Sequence, residues 1–136
     1  MQLFKIVPLV IALAALSLLS ACASHKPPPR PGSINAKIEQ LSEMSYLQVT
    51  DLRAVKRNHL LTVQAEINNS DTDNQQLYYR FKWLDANGFA VGGEEAWKPV
   101  LVYALQKQTI SAVAPSPQVT DFRLVVQSPD NTGQLP

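Results

Sequence analysis

The stretch HLLTVQAEIN, residues 59–68, puts Leu61, Val63, Ala65 and Ile67 on one side of an extended chain. Thr62, Gln64, Glu66 and Asn68 take the other side. A side-chain period of two belongs to a β-strand, and this pattern predicts one with a single face in a core and the other in water. LYYRFKWLD, residues 77–85, repeats it, with Leu77, Tyr79, Phe81 and Trp83 facing one way and Tyr78, Arg80 and Lys82 the other. YLQVTDLRAV before them, and PVLVYAL, QTISAVA and FRLVVQ after them, read as further short strands. The connections carry turn chemistry: KRN at 56–58, the polar NNSDTDNQ at 68–75, and DANG at 85–88, where Asn-Gly tolerates the positive φ of a tight hairpin. FAV starts a return strand that Gly92-Gly93 ends or bulges, and Pro115 and Pro117 form the link before the last strand. About seven short strands at this spacing predict an all-β fold, an immunoglobulin-like antiparallel β-sandwich, with a small β-barrel as the rival. Ahead of them, INAKIEQLSEM at 34–44 spaces Ile34, Ile38 and Leu41 as a helix does, which predicts either a short N-terminal helix or an irregular lead-in.

Such a sandwich has to stand on its apolar core. Cys22 is the only cysteine, so no disulfide can close within the chain, and His25 and His59 cannot complete a zinc ligand set alone. No metal and no cofactor are expected. With 46% apolar and 17% charged residues, the composition suits one globular domain with a targeting segment attached.

That segment is the N-terminus. Lys5 supplies one positive charge, and IVPLVIALAALSLLS at 6–20 is almost wholly apolar, the layout of a secretory signal. A retained membrane helix competes on length alone, since the run approaches ~18 residues when continued through Ala23. Leu19-Ser20-Ala21-Cys22 separates the two, because it resembles the lipobox of bacterial lipoproteins. The resemblance implies removal of residues 1–21, a diacylglyceryl thioether on Cys22 and an acylated new amine. Each buried methylene contributes ~0.8 kcal/mol, so three chains make a lasting membrane anchor. Ala23 and Ser24 stand where inner-membrane retention in enteric bacteria uses Asp, and the implied destination is the periplasmic face of the outer membrane. Residues 22–33 then form a lipidated cysteine with a proline-rich tether, SHKPPPRPGS. Polyproline geometry extends it by ~3.1 Å per residue and holds the domain of residues 34–136 clear of the headgroups. A proline-recognition role for PPPRP is the lesser alternative. Without Lys5, one of 12 basic residues, 11 basic side chains face 11 acidic ones. A neutral chain offers no field for gathering phosphates, and nucleic acid is excluded as a partner.

The lipobox, YYRFKWLDANGFAV at 78–91, Trp97 and ISAVAPSPQVTDFRLVVQ at 110–127 together resemble the YcfL-like family of bacterial outer-membrane lipoproteins. The resemblance spans nearly all of the mature chain, and YRFKWLDANG is its most specific part. It brings no catalytic residue to transfer. It implies an envelope protein partner, and the family's gene neighbourhood, beside lipoprotein activators of peptidoglycan synthases, hints at the peptidoglycan-synthesis machinery.

Three groups of residues remain as candidates for chemistry or binding. Glu94 and Glu95 are adjacent carboxylates, whereas a glycosidase pair needs ~5–10 Å between carboxyls across a sugar, so a solvated loop is expected. His59 has no serine or cysteine in a nucleophile motif to serve and is expected as an exposed hairpin residue opening a strand. Trp83 lies on the core register. Trp97 is expected to pack; if exposed, it would join Tyr78 and Tyr103 in an aromatic surface able to stack on sugars or anchor a protein. The sequence thus predicts a non-enzymatic, anchored binding or adaptor module, with a glycan-binding module and an envelope enzyme as rivals.

Overall fold

The computed structural model describes Pro27 and residues 30–129. The signal segment, Cys22 and most of the tether lie outside the described residues.

A 3-10 turn, Ile34–Lys37, leads into seven strands: β1 (Ile38–Gln40), β2 (Leu47–Arg57), β3 (Leu60–Asn69), β4 (Gln75–Leu84), β5 (Lys98–Val102), β6 (Lys107–Val113) and β7 (Asp121–Gln127). They form two sheets, β1-β7-β4-β5 and β2-β3-β6. The fold is the all-β sandwich that the alternation predicts. Between the sheets Val63, Ala65, Ile67, Leu77, Phe81, Trp83, Val102, Leu124 and Val126 are buried. Phe81 stacks on Trp83 at 5.2 Å between ring centroids and meets Tyr79 edge-on at 6.1 Å. Offset and edge-to-face contacts are the favoured aromatic geometries.

β2 needs a correction of phase to join this core. Leu47 and Val49 are odd-numbered and Leu52 is even-numbered, so an unbroken strand would turn one set outward. The register with β3 shifts between Val49 and Asp51, which is a β-bulge at Thr50. The bulge returns Leu52 and Ala54 to the side of Ala65 and Val63, their partners on β3. The Thr50 hydroxyl donates to Glu66 Oε1 at 2.7 Å and ties the extra residue down.

Other details differ from expectation. The lead-in makes one 3-10 turn and then β1, which runs parallel to β7 with Ile38 opposite Leu124. The mirror-image hairpin turn falls at Asn58-His59, with φ of 49° and 67°, and Arg57 pairs with Leu60 across it. His59 is therefore exposed as expected but lies in the turn instead of opening β3. At DANG only Gly88 has a positive φ, 84°. The Asp85 carboxylate accepts the Asn87 and Phe89 amides there. FAV returns only as a bridge between Leu84 and Ala90, since Gly92, with φ of 79°, turns the chain away.

Asn69, which the sequence placed in a polar loop, ends β3 inside the protein. Its Nδ2 donates to the carbonyls of Asp73, Val102 and Tyr103 at 2.8–3.2 Å, and its Oδ1 accepts the Asp71 amide. A buried amide survives because every polar group finds a partner. Among the described residues no helix is long and apolar enough to cross a membrane.

Candidate functional site

The inner faces of both sheets are committed to the core, which leaves the outer faces and the strand edges. β4 places Tyr78, Arg80 and Lys82 on the outer face of the four-stranded sheet, between Leu77, Phe81 and Trp83 of the core. β5 pairs Pro99 with Tyr78 and Lys98 with Tyr79, so Trp97 enters the sheet beside Arg80. The Arg80 guanidinium carbon lies 4.4 Å from the centre of the Trp97 ring. Cation–π attraction of this kind contributes ~0.5–2 kcal/mol, more when water is excluded. The Trp97 side chain is half-buried, and Arg80 also pairs with Glu94.

The two glutamates part company. Glu94 reaches over the outer face to Arg80 and stays 72% exposed. Glu95 turns into the sheet edge, where β5 has already left β4. Its carboxylate accepts the Phe81 amide at 3.2 Å, the Trp83 indole N–H at 2.8 Å and the Lys98 ammonium at 2.9 Å. One side chain thus satisfies a backbone donor that a neighbouring strand would otherwise take. Burial pushes the Glu95 carboxyl up, but the hydrogen bonds from Lys98, Trp83 and the Phe81 amide outweigh it and hold the group below its usual value. A general acid needs the opposite shift. The expected solvated loop therefore fits Glu94 and not Glu95.

β7 carries three apolar residues in a row, Leu124, Val125 and Val126, all buried. Leu124 and Val126 face the core. Val125, opposite Arg80 on β4 and Glu39 on β1, faces outward and is still only 2% exposed. It lines a groove of about 180 Å³ together with Arg80, Lys82, Gly92, Gly93 and Glu94. Lys82 pairs with Glu39 at 3.1 Å beside it.

Trp97 was expected to pack, and to join Tyr78 and Tyr103 in one surface only if exposed; it does pack, on Arg80, and two of the three share a face. Tyr78 and Trp97 lie on this outer face, both half-buried. Tyr103 is exposed just beyond β5, where its carbonyl accepts the Gln106 amide, and among the described residues no ring contact joins it to the other two. The sequence reading missed Arg80, Val125 and Asn69. A signal for Val125 was present, since three successive apolar residues in a strand break one-sided alternation and point to burial on both faces.

A wider cleft of about 690 Å³ involves the free edges of β1 and β2 and is lined by Ile38, Gln40, Met44, Tyr46, Leu47 and, from the tether, Pro27. Among the described residues no group of three His, Cys, Asp or Glu side chains is placed to hold a metal ion.

Comparison with known proteins follows the sandwich. The family model described as "Protein of unknown function (DUF1425)" matches residues 34–128. A crystal structure of Campylobacter jejuni cj0090 is similar with a TM-score of 0.60 and 20% identity, covering 68% of this chain and 97% of that one. A crystal structure of a DUF1425 family member from Shewanella sp. pv-4 is similar with a TM-score of 0.55 and 25% identity, covering 59% of this chain and 75% of that one. No curated protein matches the chain.

Proposed function

Because this chain belongs to the DUF1425 family, whose proteins have no assigned function, we propose a role from its own residues: a YcfL-like, outer-membrane-anchored periplasmic lipoprotein whose sandwich is a non-catalytic adaptor of the cell envelope. Leu19-Ser20-Ala21-Cys22 supports the anchor. The observation that carries the adaptor role is the outer face of the four-stranded sheet. There Trp97 and Arg80 are packed against each other beside Tyr78, and residues of these types dominate the energetics of protein interfaces. Glu95 is consumed in holding that face together, which leaves its carboxylate a structural group. The partner is an envelope protein, with the peptidoglycan-synthesis machinery as the first place to look.

Crosslinking in intact envelopes tests this. The native chain should capture a defined protein, Trp97→Ala should lose it while the domain stays folded, and Cys22→Ser should release the chain from the membrane fraction. Capture unchanged by Trp97→Ala, or an unacylated Cys22 by mass spectrometry, would reject the corresponding half. Direct glycan binding is the second reading, favoured by Tyr78 and Trp97 sharing one face. Arg80 already occupies one side of the indole, which reduces the platform available for a sugar. Binding to purified sacculi that disappears in Trp97→Ala would put it first.

A further inference from the structure

The groove beside Arg80 has the parts of a binding site, and its rim holds a group that resembles a ligand. We infer that it takes a carboxylate carried on a short alkyl group, such as the C-terminal residue of a peptide, and that Glu94 occupies the anion position until such a ligand displaces it. The inference rests on the outer face being the working face of an adaptor and names the chemistry that this face would recognise.

Arg80 is 20% exposed and is held from one side by the Trp97 ring, so Glu94 is not its only contact. A guanidinium fixed in this way offers its N–H fork for two-point recognition of a carboxylate. Glu94, in contrast, is largely in solvent and follows Gly92 and Gly93, and an ion pair whose carboxylate is so exposed is weak and exchangeable. Its side chain is itself a carboxylate on a short alkyl stem, which shows the chemistry that the site already accommodates.

The floor and mouth fit the alkyl part. Val125 gives an apolar floor that solvent hardly reaches. Gly92 and Gly93 put no side chain over the opening, and a Cβ added at Gly93 would meet nothing within 4 Å. At about 180 Å³ the groove is smaller than the ~300–1,000 Å³ typical of sites for whole small molecules and is suited to one terminal residue. Lys82, on the same rim, is a second cation that already pairs with Glu39 at 3.1 Å.

The test is an NMR titration of the full chain in detergent, following the amides of Gly92, Gly93 and Val125. N-acetyl-Ala-Ala should shift them saturably, and its C-terminal amide should not. Arg80→Gln should weaken binding about tenfold, the usual effect of losing one charge-assisted contact, and Glu94→Gln should tighten it severalfold by removing the internal competitor. Propionate alone separates a free small acid from a peptide end. Binding of both probes supports the shared chemistry, and binding of the peptide alone assigns the site to chain termini. No shift with any acid at millimolar concentration, an equal response to the amide or to inorganic phosphate, or unchanged affinity in Glu94→Gln would overturn the inference. Envelope crosslinking that persists while this titration fails would leave the adaptor role standing and remove only the carboxylate site.

Discussion

The two sheets are alike on the inside and different on the outside. Toward the core, β3 and β4 obey the same alternation, and each strand buries every second residue. Away from the core, the three-stranded sheet shows Thr62, Gln64 and Ser111 beside Arg53 and Arg57, with Val55 and Val113 exposed in register with Thr62. The four-stranded sheet buries Val125, packs Arg80 on Trp97 and carries the segment 89–97 alongside β4. Strand periodicity decides only what the inside needs. The outer face of the four-stranded sheet departs from plain solvation, and the candidate site lies there.

Substitutions on the two faces should separate them. Val125→Ala empties a dry, packed position and should cost about 2–3 kcal/mol in chemical unfolding. Ser111→Asp, outward on the other sheet, should stay within about 0.5 kcal/mol. Equal effects would mean that the faces do not differ. Next in size are the adjacent glutamates. Glu95→Ala strands the Phe81 amide and the Trp83 indole and should cost about 2 kcal/mol, whereas Glu94→Ala removes an exposed pair and should cost under about 1 kcal/mol.

Acid should act through the same residue. Glu95 and Asp121 lie below their usual values when folded; at both, burial opposes the shift and hydrogen bonds outweigh it, from Lys98 and Trp83 at Glu95 and from Lys37 and the Phe122 amide at Asp121. The unfolded chain therefore binds their protons first. The stabilisation is complete above the usual carboxylate values and is lost as pH falls through the folded ones. Glu95→Gln should flatten that loss in urea melts taken at successively lower pH, and an unchanged slope would assign it elsewhere. Trp97→Ala should cost about 1 kcal/mol from the lost cation–π contact, readable as a shift in the urea midpoint. A large loss would make Trp97 a structural residue first.

Much of the sandwich was legible. Leu61, Val63, Ala65 and Ile67 are buried as their spacing requires, and so are Leu77, Phe81 and Trp83. The expected number of strands is also right, although β1 replaces the FAV segment. β1 escaped notice because three residues carry too short a pattern, and its partner β7 lies more than eighty positions away. The positions of the aromatics were partly legible: Tyr78 followed from the register of β4, while Trp97 lies in an irregular loop whose path no periodicity encodes.

The sequence by itself determined which residues face inward, because side-chain alternation is a property of the extended backbone and needs no knowledge of the neighbour. It also set the bounds of any chemistry, with one cysteine, two histidines and a net charge of only +1. Only the tertiary structure decided that Glu95 serves the edge of β4 while Glu94 faces Arg80, and that Val125 is covered on the outside. Those outcomes depend on where the segment between β4 and β5 comes to rest, and that is settled by contacts among residues that strand spacing does not relate.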